Sequence, residues 1–183
     1  MGKWLIGAAL AVVCAAATVF AQPAPGVAPS AALAQHAASR FLGRWVGTGW
    51  MVDQTGTRHT YEAHERARWN LAGTAIVIEG LGVARGEDGA VTIGHDAMAV
   101  IRLDEATGDV VFIAGREGDF ARHALEVIDA EAGVMRWSPG GPVRFTIRIT
   151  ADRWEETGEF SRDGGETWTA FLGMTLERRD DLE

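Results

Sequence analysis

The chain is poor in features that mark several common classes of protein. Cys14 is the only cysteine among 183 residues, so no intramolecular disulfide can form and the core alone must hold the fold. Acidic residues outnumber basic ones by 25 to 17, which gives a formal net charge of -8. Because nucleic acids and anionic membranes are usually bound through a basic surface, we predict no nucleic-acid partner.

The short motifs of familiar catalytic sites are also missing. The sequence contains no Gly-x-Ser-x-Gly elbow, no phosphate-binding glycine loop and no His-Glu-x-x-His zinc helix. His64 shares a strand face with Arg66 and Arg68, whose positive charges would repel a metal ion. His95 and Asp96 are adjacent, so on a strand they point to opposite faces and cannot form a base and its orienting partner. We therefore predict no metal site and assign no catalytic residue.

The first 29 residues have the composition of an export signal followed by a linker. Lys3 precedes an apolar run from Trp4 to Val19, and Val19-Phe20-Ala21 matches a signal-peptidase site before Gln22. Residues 1–21 are predicted to be a signal peptide, which implies a periplasmic or secreted product with no membrane span after cleavage. An uncleaved anchor is the alternative. Residues 22–29, rich in Pro and Ala, are predicted to be a flexible linker.

The folded domain is predicted to cover residues 30–183 and to begin with a short helix. Ser30 can cap a helix from Ala31 to Phe41, in which Leu33, Ala37 and Phe41 recur at helical spacing. After this segment the period of the hydrophobic residues changes, so no further helix is expected.

From Trp45 to the C-terminus the hydrophobic residues recur with the period of two that is typical of strands. The clearest case is residues 143–149, where Val, Phe, Ile and Ile alternate with polar residues. About ten such segments are separated by turn sequences without helices between them, which excludes a parallel sheet of βαβ units. We predict an all-β fold, a single antiparallel up-and-down β-barrel of about ten strands with a short N-terminal helix. A two-sheet sandwich is the alternative.

Residues 161–168 match the pattern Ser-x-Asp-x-Gly-x-Thr-Trp, which is similar to the Asp-box hairpin of sialidase propellers. A propeller repeats this unit in every blade, but the chain contains a single copy. We therefore interpret it as a turn in which Asp163 accepts hydrogen bonds from backbone N–H groups and Trp168 packs beneath.

Together these motifs resemble the lipocalin-like, or calycin, barrels, and especially exported bacterial members of uncharacterised function. The resemblance spans roughly Leu33 to Arg178 and depends on Gly43-Arg44-Trp45 at the helix-to-strand entry, His95-Asp96-Ala97, and the Asp163-Gly164-Gly165 hairpin with Trp168. It implies an interior site for a small hydrophobic molecule. Related haem-binding barrels ligate iron through a histidine near the C-terminal strands.

No histidine follows His123 in this chain, so we predict no haem and no other cofactor. His123 itself lies beside Arg122 without a defined partner in the sequence, and we interpret it as structural or exposed.

Aromatic and aliphatic residues dominate the positions predicted to face the barrel interior. They are Trp45, Met51, Tyr61, Ala63, Glu65, Ala67, Trp69, Val77, Ile93, His95, Ala97, Phe112, Trp137, Phe145, Ile147, Trp154 and Leu172. Glu65 and His95 interrupt this apolar set, and burying either without a partner is costly, so they could orient the polar end of a ligand. The alternative is that a bulge turns them outwards or that each bonds to a neighbouring strand. The predicted ligand-binding residues are Tyr61, Glu65, Trp69, His95, Trp137, Phe145 and Trp154.

Three functions remain open from the sequence. The first is an exported barrel that binds a small, largely hydrophobic ligand in its interior. The second is a barrel enzyme, an isomerase, cyclase or hydrolase, that uses Glu65 or His95 as general base. The third is a structural or protein-interaction module with a filled core, which would show an exposed apolar patch around Trp50.

Overall fold

The computed structural model describes residues 30–86, 89–104, 106–116 and 118–179. The predicted signal peptide and linker lie outside these residues. The described residues form ten strands, a short helical segment before them and, against the expectation of no further helix, a three-residue 3-10 segment, Leu71–Gly73, between β2 and β3. The strands are β1 (Gly43–Val52), β2 (Arg58–Asn70), β3 (Ala75–Arg85), β4 (Val91–Leu103), β5 (Val110–Arg116), β6 (Asp119–Asp129), β7 (Val134–Gly140), β8 (Val143–Ile149), β9 (Arg153–Phe160) and β10 (Thr169–Arg179).

All ten strands form one closed antiparallel barrel. Each strand pairs with its neighbour in the chain, and β10 closes the ring by pairing with β1 from Arg44 opposite Arg179 to Met51 opposite Leu172. This confirms the predicted up-and-down barrel and excludes the sandwich. Closure leaves no unpaired strand edge in the ring, so the backbone hydrogen bonds hold the wall in place without help from its contents.

The predicted N-terminal helix is interrupted. A short helix, α1, covers Ala31–Gln35, and Ser30 caps it by accepting a hydrogen bond from the N–H of Leu33 at 3.4 Å, as predicted. His36 then takes an extended conformation, with φ -73° and ψ 148°, and a 3-10 helix follows over Ala37–Phe41. The break occurs because the His36 ring accepts a hydrogen bond from the N–H of Ala38 at 3.1 Å and so caps the second segment.

Trp45 closes the end of the barrel next to these helices. Its side chain is fully buried, and its indole N–H donates to the carbonyl of Phe41 at 2.8 Å. The guanidinium of Arg178 lies 4.0 Å from the centre of the indole ring, and Trp154 packs edge-on against the ring at 5.9 Å. The buried indole of Trp45 therefore plugs this end of the barrel.

Two positions predicted to face the interior point outwards instead. Ile93 is 61% exposed, because the register between β3 and β4 shifts between Gly82 and Val83 and places one extra residue, Gly94, on β4. This bulge turns Ile93 out while His95 stays inside. Val77 is half-buried on the outer face, and its neighbour Ile78 lines the interior. The sequence could not place it, since residues 75–78 are apolar at every position and show no alternation.

The single Asp-box is a turn, as predicted. The Asp163 carboxylate accepts hydrogen bonds from the N–H of Thr167 at 2.9 Å and from the hydroxyl of Ser161 at 2.8 Å. These bonds hold the pKa of Asp163 well below its usual value. The Trp168 indole N–H donates to the carbonyl of Gly165, and the guanidinium of Arg144 covers its ring at 3.9 Å. The motif therefore fixes the β9–β10 hairpin.

Among the described residues, no helix has the length and apolar character needed to span a membrane. Trp50, which the filled-core hypothesis placed in an exposed apolar patch, is half-buried on the outer face. The guanidinium of Arg58 covers its ring at 3.9 Å. The predicted patch is thus shielded in part by a cation.

Candidate functional site

The barrel contains a cavity of about 440 Å³. This volume lies within the range of about 300–1,000 Å³ that is typical of sites for small molecules. The cavity reaches the end of the barrel that carries the β5–β6 and β7–β8 turns, which we call the hairpin end. The exposed residues Asp119 and Pro139 line it there, and Phe41 and the layer around Trp45 close the opposite end. A small molecule could therefore enter from the hairpin end.

Six of the seven residues predicted to bind a ligand line this cavity. They are Tyr61, Glu65, His95, Trp137, Phe145 and Trp154. Trp69 is not among the lining residues, and its half-buried side chain packs against the core. It shares the inner face of β2 with Glu65, but it lies beyond Ala67, which already pairs with the first residue of β1. Trp69 therefore falls at the closed end.

One side of the cavity is built from four aromatic rings, which we call the aromatic wall: Phe112, Trp137, Phe145 and Phe171. Trp137 stacks on Phe145 with centroids 4.5 Å apart and meets Phe112 edge-on at 5.3 Å. Phe145 contacts Phe171 edge-on at 5.8 Å. Phe112, Trp137 and Phe145 occupy inward positions of β5, β7 and β8, and Phe171 lies at the bulge of β10 between Ala170 and Leu172. The rings present a continuous apolar surface to a guest.

Four ionisable side chains also line the cavity, and we call them the polar wall: Tyr61 and Glu65 on β2, His95 on β4 and Glu156 on β9. Nε2 of His95 lies 3.9 Å from Oε1 of Glu65, and the imidazole is nearly parallel to the Tyr61 ring at 6.5 Å. The side chain of Glu65 is only 7% exposed. Buried polar groups of this density are rare in a core and are typical of binding or catalytic sites.

Glycines on the strands next to β2 leave space for the side chains of the polar wall. A β-carbon on Gly49 would overlap the phenol of Tyr61, and one on Gly82 would lie 2.8 Å from the same ring. A β-carbon on Gly80 would lie 2.5 Å from Oε1 of Glu65. The polar side chains of β2 therefore lie flat across the neighbouring strands β1 and β3, which only residues without side chains allow.

Glu156 is the member of the polar wall that the sequence reasoning missed. The barrel registers align Tyr61 with Gly49, Gly49 with Met174, and Met174 with Glu156, so Tyr61 and Glu156 lie on one level of the ring. The available signal was strand parity, because Glu156 is two residues after Trp154, which was predicted to face inwards. It is partly accessible, and since it faces the interior this surface lies in the cavity.

Burial of the two carboxyl groups changes their protonation. It raises the pKa of Glu65 to about 8, with a further contribution from the charge of Glu156. Burial raises the pKa of Glu156 to about 7, and the indole N–H of Trp154 opposes this rise without forming a hydrogen bond of normal geometry. Burial and both carboxylates raise the pKa of Tyr61 to about 12. Near neutral pH the empty cavity thus holds at least one protonated carboxyl group.

His123, interpreted from the sequence as structural or exposed, lines the cavity beside the aromatic wall. Its ring lies 5.1 Å from Trp137 and 6.3 Å from Phe112. The sequence missed it because the polar residues around it hide the alternation of β6. Among the lining residues of the described chain none is an arginine or lysine, and no group of three or more His, Cys, Asp or Glu in that part of the chain is placed to hold a metal ion.

Comparisons with known proteins support the architecture and nothing finer. No protein-family model matches the chain, and no curated protein matches it. Among solved structures, Rv2717c from M. tuberculosis is similar with a TM-score of 0.58 and 16% sequence identity, covering 84% of this chain and 100% of that one. A Nostoc punctiforme protein of unknown function from the DUF3598 family is 11% identical, covers 79% of this chain and 98% of its own, and has a TM-score of only 0.29. At these identities the likeness to Rv2717c extends to the fold, a closed antiparallel barrel.

Proposed function

We propose that this protein is an exported, lipocalin-like barrel that binds a small, largely apolar molecule in its interior. The observation that carries the proposal is a 440 Å³ cavity whose lining divides into the aromatic wall and the polar wall. Such a division, a large apolar surface with a few converging polar groups, is the usual form of a small-molecule site. The aromatic wall would hold the body of the ligand, and the polar wall would orient its end.

The cavity argues against the alternative of a module with a filled core. Protein interiors are normally packed without voids much larger than a water molecule, because an empty apolar space forfeits packing interactions. This barrel has small residues, among them Ala97, Ala99 and Ala114, at inner positions where larger ones would close the space. An interior kept open in this way suits a guest.

Export and lipocalin-like kinship are part of the same proposal. The apolar run before Gln22 supports export. The capped helix before β1, the plug at Trp45 and the up-and-down order of the strands support a lipocalin-like barrel. This chain cannot form an intramolecular disulfide, so an exported product must be held together by its core and its backbone hydrogen bonds. The closed ring of strands provides those hydrogen bonds.

The test is to ask what the purified protein holds. The full chain is expressed with export, purified from the periplasm without denaturant, and examined by native mass spectrometry, with solvent extraction of any added mass. We expect a discrete apolar molecule, or after its removal the saturable binding of an apolar fluorescent dye. A protein that carries no adduct and binds no apolar probe would contradict the proposal.

A second candidate, a barrel enzyme, is favoured by the contact between Glu65 and His95. Their 3.9 Å separation at the cavity, with the pKa of Glu65 raised to about 8, would suit a general acid or base near neutral pH. If the barrel converts its ligand, the molecule extracted from the wild type will differ in structure from that extracted from Glu65→Gln. The same molecule in both would leave binding as the function.

A further inference from the structure

The charge of the cavity narrows the class of ligand beyond a merely apolar one. Three lining residues carry carboxyl groups, Glu65, Asp119 and Glu156, and among the lining residues of the described chain no arginine or lysine balances them. A carboxylate or phosphate ligand would bring a negative charge into this acidic space without a cationic partner, which is strongly unfavourable in a buried site. The charge of the cavity therefore disfavours the binding of anionic amphiphiles such as fatty acids.

From this geometry we infer that the ligand is an organic cation, an aromatic or aliphatic amine, whose ammonium group lies against the carboxyl groups of Glu65 and Glu156 while its apolar body packs on the aromatic wall. The inference rests on the proposed function, since it names the ligand class of the same cavity. An ammonium group has only donors, and carboxylates have only acceptors, so the pair is complementary. The hydroxyl of Tyr61 can accept a further hydrogen bond from the cation.

The two carboxyl groups lie close enough for the charge of Glu156 to contribute to the raised pKa of Glu65. Glu65 on β2 and Glu156 on β9 are separated in the ring by β1 and β10, and the residues between them on the level of Glu156 are Gly49 and Met174. Gly49 has no side chain, and the phenol of Tyr61 lies over it, so the Tyr61 ring forms part of the inner surface on this level. A cation bound there also faces the imidazole of His95, which in its neutral form does not oppose it.

Binding of such a cation is coupled to proton release. Burial favours the protonated carboxyl groups in the empty cavity, as the raised pKa values of Glu65 and Glu156 indicate. An ammonium group favours the ionised forms, so its arrival lowers both pKa values and expels a proton. Affinity for an amine should therefore rise with pH between about 6 and 8, as Glu65 and Glu156 lose protons. Tyr61, His95, Asp119 and His123 are the other titratable residues that line the cavity.

The experiment compares three probes of equal size that differ in charge: a naphthylmethylamine, the matching naphthylmethanol and naphthoate. Their binding to the ligand-free full chain is measured by titration calorimetry at pH 8 in two buffers of different ionisation enthalpy, which also counts the protons released. We expect the amine to bind about tenfold or more tightly than the alcohol, since hydrogen bonds to charged groups are the strong ones. We expect naphthoate to bind weakest.

Variants locate the effect. The double variant Glu65→Gln, Glu156→Gln should lose the preference for the amine and the proton release while still binding naphthylmethanol. Glu62→Gln, which removes a carboxylate on the outer face of β2, is the matched control and should keep both. If the double variant does not fold, each single change should reduce the preference in part, and the three-probe comparison on the wild type stands without any variant.

Failure of the inference can be told from failure of the proposed function. Equal affinity for the amine and the alcohol, tighter binding of naphthoate, or a co-purified ligand without a basic nitrogen would overturn the inference and leave small-molecule binding intact. No binding of any probe, together with no co-purified ligand, would overturn both.

Discussion

Gly80 on β3 lies directly beneath the carboxyl group of Glu65 on β2, so closely that a β-carbon at position 80 would lie 2.5 Å from Oε1. The obstacle there is the end of a flexible side chain beside an open cavity. At Gly47 a β-carbon would instead overlap the backbone carbonyl of Thr175 on β10. The same change of glycine to alanine should therefore have very different costs at these two positions.

We expect Gly47→Ala to lower the free energy of unfolding by about 1–3 kcal/mol or more, because the paired backbones of β1 and β10 must separate. Gly80→Ala should cost less than about 1 kcal/mol, since the Glu65 carboxyl can turn into the cavity. Urea denaturation of both variants checks this. Equal losses at the two positions would show that Glu65 is held rigidly over Gly80.

Stability should fall as the pH rises through the neutral range. The pKa of Glu65 is raised to about 8 and that of Glu156 to about 7, both from the ordinary value of 4.5, so between pH 4.5 and 8 the folded chain binds more protons than the unfolded chain. The free energy of unfolding should decrease across this window by at least about 1 kcal/mol. Above pH 8 this contribution levels off.

The double variant Glu65→Gln, Glu156→Gln should show a much flatter pH profile between pH 5 and 8. The measurement is urea denaturation at several pH values, with the m-value monitored to confirm that the same unfolding transition is compared. Exchange of Glu62, exposed on the outer face of β2, for Gln is the control and should leave the slope unchanged. An unchanged slope in the double variant would place the responsible groups elsewhere.

Filling the cavity should abolish binding and spare the fold. Ala97 lines the cavity on β4, and Ala97→Phe would add a ring to that space, so we expect at least about a tenfold loss of affinity for any interior ligand. Ala124 is exposed on β6, and Ala124→Phe adds the same ring outside. Fluorescence titration with an apolar dye compares them, and equal affinities would mean that the dye binds outside the barrel.

Arg178 should resist even a conservative change. Its guanidinium covers the Trp45 ring at 4.0 Å and donates to the carbonyls of Ala151, at 2.6 Å, and Leu42. A lysine cannot make this planar, branched set of contacts, so Arg178→Lys should lower the free energy of unfolding by about 1–3 kcal/mol. Arg179→Lys, at an exposed position on the same strand, should change it by less than about 0.5 kcal/mol. Thermal and urea denaturation measure both variants, and equal losses of stability would contradict this role of Arg178.

The hairpin at Asp163 should make the protein sensitive to strong acid. Its carboxylate accepts hydrogen bonds from Thr167 and Ser161, which hold its pKa well below the ordinary 3.8, so the contribution is complete above pH 3.8 and is lost as the pH falls further. Asp163→Asn should lower Tm at pH 7. Between pH 4 and pH 2, the Tm of this variant should decrease by less than the Tm of the wild type. Parallel curves would refute this role.

Local patterns were enough to predict much of the molecule. The alternation of residues 143–149, the turn at Asp163 and the Gly-x-Trp at the start of β1 each reflect a preference that acts within a few residues. Such preferences agree with one another in this chain, and together they predict the closed antiparallel ring. Residues 75–78 are apolar at every position and show no alternation, so the face of Val77 was predicted wrongly.

The amino-acid sequence by itself determined the all-β class, the short capped helix and the inward faces of Glu65, His95 and Trp137, because periodicity and turn chemistry are local. Only the tertiary structure decided that Glu156 joins Glu65, that His123 faces the aromatic wall and that Trp69 lies away from the cavity. Those outcomes depend on the register between strands, some of them far apart in the chain. A register shift of one residue would exchange the inner and outer faces of a strand, so the contents of the cavity are a property of the closed ring.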